Sequence, residues 1–332
     1  MEFYNDHKKL YLAAILFFFG LTLFVCLLPA LDNQRTYQPL STSKAMTEAE
    51  SRGKAVYISE GCVACHTQQV RNVDMDQPFG SRPSIAADYA RNRRLNFFQN
   101  TATLMGTERT GPDLTNIGLR QPSEDWQYAH LYNPRSVVPQ SVMPAYPWLF
   151  EYKENLGPND KEVNIPKEFR KSNLKLVPTH NARDLVAYLL YLKQSDLPVS
   201  IPAKEFLYKK EEKPQAGGGA GGGDNLPDGD ALFATHCASC HQANGEGIPG
   251  AFPPLKGDAV VTGDDLELYV TIIMKGYNGL APAYAEMPAV GDNAGLKANE
   301  VAAIINHERS SWGNNATKVT KEEVQTILDK IK

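Results

Sequence analysis

Cys62-Val63-Ala64-Cys65-His66 and Cys237-Ala238-Ser239-Cys240-His241 each place two thiols three positions apart, with an imidazole directly after the second. On one helical turn such thiols can each add to one vinyl group of a single haem. The histidine then faces the iron, and the spacing reads as c-type haem attachment. Two copies in matching surroundings predict two covalently bound haem c groups, with His66 and His241 as proximal iron ligands. Met143 and Met287, each followed by Pro-Ala, are the candidates for the opposite ligands. A His/Met pair raises the haem potential and leaves no open coordination position, which suits electron transfer rather than oxygen or peroxide chemistry. Met105 and Met274 lack the shared context and read as packing residues. Pro112 (in RTGPDL) and Pro254 (in FPPL) are placed to offer backbone carbonyls to His66 and His241, because a ligating histidine needs a partner for its other ring nitrogen. Arg109 is a candidate for neutralising a haem propionate, a solvated surface arginine being the alternative.

Two Cys-x-x-Cys pairs could instead hold one zinc ion, or serve as a redox dithiol. Against zinc, 171 residues separate Cys65 from Cys237, far from ribbon spacing. Against the dithiol, no βαβ pattern surrounds either pair. His7 borders the apolar N-terminal run, His180 and His307 read as surface groups, and His236 points away from its neighbouring motif.

The elements that must position these groups are mainly helical. Thr47 to Gly61 reads as a helix entering the first motif, with Thr47 and Glu50 as a capping box. Leu185, Val186, Leu189 and Leu192 give Ala182 to Gln194 one apolar face. Ala231 to Cys240 and Lys297 to Trp312 repeat that pair around the second motif. A last helix, Lys321 to Ile331, carries an apolar stripe of Val324, Ile327, Leu328 and Ile331, for packing on this chain or on a partner.

The order helix, Cys-x-x-Cys-His, Pro-Leu element, Met-Pro-Ala, helix occurs twice, an internal repeat. The expected fold is therefore one N-terminal transmembrane helix followed by two cytochrome c-like all-α haem domains. Residues 1–46 form the anchor and juxtamembrane segment, 47–195 the first domain, 196–225 a linker and 226–332 the second domain with its C-terminal helix. The linker contains GGGAGGG at Gly217 to Gly223, a composition that behaves as flexible coil.

The chain has 332 residues, is 42% hydrophobic and carries a net charge of −4. That composition suits folded domains and lacks the basic stripe of a nucleic-acid binder. Leu10 to Leu31 is uncharged, and about 33 Å of helix is enough to cross a bilayer core of roughly 30 Å. A cleaved export signal, the alternative, would have a shorter apolar core. Lys8 and Lys9 favour a cytoplasmic N-terminus, which puts everything after Leu31 outside. Cys26 reads as a lipid-facing or packed thiol.

EGCVACHTQQVR, RTGPDLTNIG, DWQYAHLYNPRSVVPQSVMPAYPWL and DLVAYLLYL resemble the mono-haem, membrane-anchored subunit of cbb-type haem–copper cytochrome oxidases. The resemblance runs from the anchor to about Gln194. It implies a subunit without a catalytic site of its own, handing electrons to a polytopic haem–copper catalytic subunit in aerobic respiration. Its donor would be a cytochrome c or a quinol-oxidising complex. It also implies Cys62, Cys65, His66 and Met143 as haem-binding residues, and gives His130, Arg135 and Arg109 a place near the haem or at the subunit contact. The C-terminal half departs from that pattern and resembles small class I cytochromes c. Nitric oxide reductases use a related anchored subunit, so nitric oxide is the alternative acceptor, and a free-standing dihaem carrier the alternative role.

Overall fold

The computed structural model describes residues 4–36, 40–90, 103–158, 160–207, 226–280 and 284–331. The glycine run Gly217–Gly223 lies outside them.

The N-terminal apolar run is helical, and His7–Asn33 is long and apolar enough to cross a membrane, with none of it buried against the protein. Its middle, Thr22–Leu27, is wound as a π-helix, and the Leu28 N–H bonds the Leu23 carbonyl five residues back. Pro29 supplies the cause: its ring crowds the carbonyl four residues before it and it has no N–H to donate, so the preceding turn widens.

In the first domain, the Glu48–Ser59 helix opens with the Thr47–Glu50 capping box and crosses the His180–Tyr191 helix. The crossing is close because Gly53 has no side chain. A Cβ there would lie 1.9 Å from the Asp184 carbonyl oxygen and 2.8 Å from the Tyr188 Cβ. Tyr57 and Tyr188 then meet edge to face, with ring centroids 5.6 Å apart, and Arg52 clamps Asp184 from the rim at 2.7 Å. Gly53→Ala should force the helices apart and destabilise the domain by about 1–3 kcal/mol, the usual cost of overpacking; chemical denaturation followed by far-UV circular dichroism measures it.

The second domain repeats the device. Gly229 opens the Gly229–His236 helix against the Ala298–Ser310 helix, and a Cβ at Gly229 would meet the Ala303 carbonyl oxygen at 2.3 Å. The expected single helix from Ala231 to Cys240 is instead two short ones, Gly229–His236 and Ala238–His241, meeting at Cys237. The Lys321–Ile331 helix has its Thr320–Glu323 capping bonds and buries Val324 and Ile327 against Ala298–Ser310 and Leu266–Lys275. Its stripe therefore packs on its own chain.

Elements outside the sequence-based expectations include the Glu124–Tyr132 helix, the Leu266–Lys275 helix and an antiparallel pair, Phe150–Lys153 with Lys175–Pro178.

Candidate functional site

The first attachment motif begins where the Glu48–Ser59 helix stops. Gly61 takes the left-handed conformation (φ 74°), and Cys62–Ala64 forms one 3₁₀ turn that delivers His66. A second segment, 104–114, lies alongside. The Gly111 N–H donates to the Cys65 carbonyl at 2.9 Å and the Leu114 N–H to the Thr67 carbonyl at 2.8 Å. His66 Nδ1 donates to the Pro112 carbonyl at 2.8 Å, leaving Nε2 as the ring nitrogen available to an iron. Gly111 lies flat against the imidazole, and a Cβ there would be 2.3 Å from His66 Cε1.

In the second domain, His241 Nδ1 donates to the carbonyl of Pro253 at 2.9 Å. The expectation for Pro254 is thereby corrected by one residue. The Ile248–Phe252 bridge turns the chain so that the Pro253 carbonyl points inward, while Pro254 is exposed. Gly247 (φ 62°) makes room, since a Cβ there would be 2.4 Å from the Pro253 carbonyl oxygen.

Arg109 is part-buried, and its guanidinium braces the two segments around His66. It donates to the Thr67 hydroxyl at 2.9 Å, the Gln69 carbonyl at 2.9 Å and the Asp76 carboxylate. Asp113, beside Pro112, accepts from the Thr67 hydroxyl at 2.6 Å and the Gln69 N–H at 2.8 Å. Burial alone would raise the Asp76 carboxyl, but hydrogen bonds from Arg71 and Arg109 outweigh it and hold the group down at about 2. Such a depressed carboxylate contributes stability that is complete above the unfolded value near 4 and lost as the pH falls towards 2. Acid titration should therefore loosen the first domain in that window, and Asp76→Asn should flatten this limb of the stability curve.

The methionines sit on opposite kinds of support. Met287 pairs with Tyr277 in a two-residue antiparallel bridge, its N–H and carbonyl bonded at 2.8 and 2.9 Å. Gly276 (φ 83°) allows it, because a Cβ there would lie 2.4 Å from the Met287 carbonyl oxygen. Met143 rides a loop tied to the Glu124–Tyr132 helix by the Tyr146 N–H, which donates to the Leu131 carbonyl at 3.0 Å. It packs against the same apolar cluster as Cys62 and Val63.

These residues fit a covalently attached haem. Cys237 and His241 line one cleft with Met287, among Val260, Ile272 and Leu296. Burial pushes the Cys62 and Cys240 thiols up to about 12. Burial likewise lowers His66 and His241, keeping each imidazole in the neutral form a metal needs. Among the described residues, no group of three or more His, Cys, Asp or Glu side chains is placed to hold a metal ion by itself.

Several residues at these sites escaped the sequence reading. Glu308 is buried at the second cleft and accepts from the Tyr269 hydroxyl; burial raises its carboxyl to about 7. Its signal was present, as a charge in register with the apolar face of Val301, Ile304 and Ile305. His307, expected at the surface, is tucked against Phe233 and Trp312, with ring centroids 5.2 and 5.5 Å away. His130 stacks on Trp126 at 4.5 Å with planes 9° apart, and its Nδ1 is buried without a hydrogen-bond partner. Burial first, and the nearby His66 second, lower it to about 4.

Residues 3–192 match the family described as cytochrome c oxidase, mono-haem subunit (FixO), and residues 227–312 match the cytochrome c family. Cytochrome c-552 of Thermus thermophilus is 35% identical over 123 residues, covering 31% of this chain and 86% of that protein. The cytochrome c subunit of a quinone-dependent alcohol dehydrogenase from Gluconacetobacter polyoxogenes is 32% identical over 151 residues, covering 44% of this chain but only 31% of that subunit. The haem c-binding domains and the apolar N-terminal helix make this a single-pass, membrane-anchored cytochrome c electron-transfer subunit. From its anchor through its first attachment domain, the chain belongs to the FixO family of mono-haem cytochrome c oxidase subunits.

Proposed function

We propose that the chain binds two haem c groups and passes electrons to the catalytic subunit of a cbb-type haem–copper terminal oxidase that reduces oxygen to water. The observation that carries this reading is the FixO match, which spans the anchor as well as the first attachment domain. Each haem, once bound, supplies a one-electron couple. The chain's own residues do the rest. Cys62 with Cys65, and Cys237 with Cys240, would hold the group covalently. The Pro112 and Pro253 carbonyls orient the rings of His66 and His241, which would bind the iron, and Met143 and Met287 would supply the remaining ligand in each domain and keep substrate from the iron. Electrons enter at the second domain, move to the first, and leave to the partner, on the periplasmic side.

Residues 226–332 carry fourteen Asp or Glu against eight Lys or Arg, a local charge of −6. An acidic face speeds encounter with a basic donor and loses that advantage as salt rises. Reduction by a basic cytochrome c should therefore slow at least several-fold between low and physiological ionic strength; a salt-independent rate would reject entry at this face. Purification in mild detergent tests the partner. Co-elution with a polytopic haem–copper subunit supports the oxidase. Co-elution with a quinone-dependent dehydrogenase would favour the second reading, which the similarity to the alcohol dehydrogenase subunit supports.

A further inference from the structure

The buried residues of the second domain do not form one core. Val261, Val270, Ile304 and Val324 belong to a cluster of their own, whereas Ile248, Ala251 and Phe252 join the buried cluster of the first domain, with Trp126 and Val137. Cys240 and Ala285 pack on that same cluster. At the centre, the Trp126 indole N–H donates to the Ser239 carbonyl at 3.0 Å. Ser239 lies inside the second attachment motif, between its two cysteines. The start of the Glu124–Tyr132 helix contributes as well, for Pro122 and Ser123 line a cleft together with Cys237, Cys240, His241 and Met287. The first domain thus supplies part of the wall of the second domain's site.

The indole ring itself stacks on His130, while its N–H edge reaches Ser239. A buried indole donor is costly to leave unpaired, and Ser239 is the acceptor it finds.

We propose that Trp126, stacked on His130, is the docking contact that seats the second domain on the first, its indole N–H held by the second haem-attachment turn. Trp126 is a positioning residue. It rests on the reading that both motifs carry haem. In the docked form one electron leaves the ferrous iron held by the second domain, which becomes ferric, and reduces the ferric iron held by the first; no bond or proton moves.

The test uses the detergent-solubilised holoprotein. Pulsed dipolar electron paramagnetic resonance between the two ferric centres gives the inter-iron distance distribution, and light-triggered reduction gives the rate of electron equilibration between them. Trp126→Phe keeps an aromatic ring on His130 but removes the N–H, and should lower the docked-to-open ratio about 3–10-fold, the worth of one net hydrogen bond. Trp126→Ala should lower it further and slow equilibration in step. If the alanine variant fails to fold, the phenylalanine variant decides alone. Unchanged distances and rates in a variant with both haem bands intact would overturn the proposal. A wild-type haem count below two would overturn the attachment reading and this proposal together.

Discussion

Replacing Met287 with alanine should abolish the methionine–iron charge-transfer band of one haem and leave that of the other untouched. The Tyr277–Met287 bridge is made by backbone groups, so the loop stays where it is and only the thioether is lost. Without sulfur the iron takes water or a weaker ligand, and its potential should fall by on the order of 0.1 V, a modest part of the ~0.8 V that axial ligands command. Met143→Ala should do the same at the first haem. Met274 is the control, because it is buried and packs against Gly291. Met274→Ala should cost about 2–5 kcal/mol of stability through cavity formation and leave both bands in place. A full spectrum in the Met287 variant would remove Met287 from the ligand set.

Gly111→Ala should displace His66 and cost the first haem its low-spin signature. The added methyl would lie 2.3 Å from Cε1 and 2.7 Å from Nδ1 of the imidazole, against ordinary carbon contacts of about 3.5–4.0 Å. Neither side can yield cheaply. The ring is held by the Pro112 carbonyl, and the Gly111 backbone by the Cys65 carbonyl at 2.9 Å. Retreat of the 104–114 segment would pull Asp113 and Arg109 from their buried partners. The variant should lose at least about 1–3 kcal/mol in the first domain, and absorbance with electron paramagnetic resonance would show a high-spin or missing first haem beside a normal second one. Gly250→Ala makes the comparison fair. Gly250 also has a positive φ (75°), but nothing lies within 4 Å of a Cβ there, so it should carry a backbone penalty near 1 kcal/mol and no spectral change.

The helices that bracket each attachment motif were legible because their signals are local. Thr47 with Glu50 and Thr320 with Glu323 are capping boxes written within four residues. The Leu266–Lys275 helix is equally periodic, burying Tyr269, Val270 and Ile273 on one face. The β pair at Phe150–Lys153 and Lys175–Pro178 was not legible, because its register depends on a partner twenty-odd residues away and each strand is only four residues long. The Pro253 and Pro254 choice shows the same limit. Either carbonyl satisfies the sequence pattern, and the Ile248–Phe252 bridge selects between them.

The sequence by itself determined that this chain binds haem c, that a single apolar helix precedes the haem domains, and that the ligand candidates recur in the same order in each half. Those features are covalent spacing, composition and local periodicity, all carried by residues near one another in the chain. The tertiary structure alone decided what lies between the motifs. It turned Arg109 inward as a brace, placed Gly111 under His66, and set Trp126 against Ser239 across 113 positions of sequence. Each is a contact between segments whose separate sequences give no sign of the other, because close packing is specified by the shape of two surfaces together and by neither one alone.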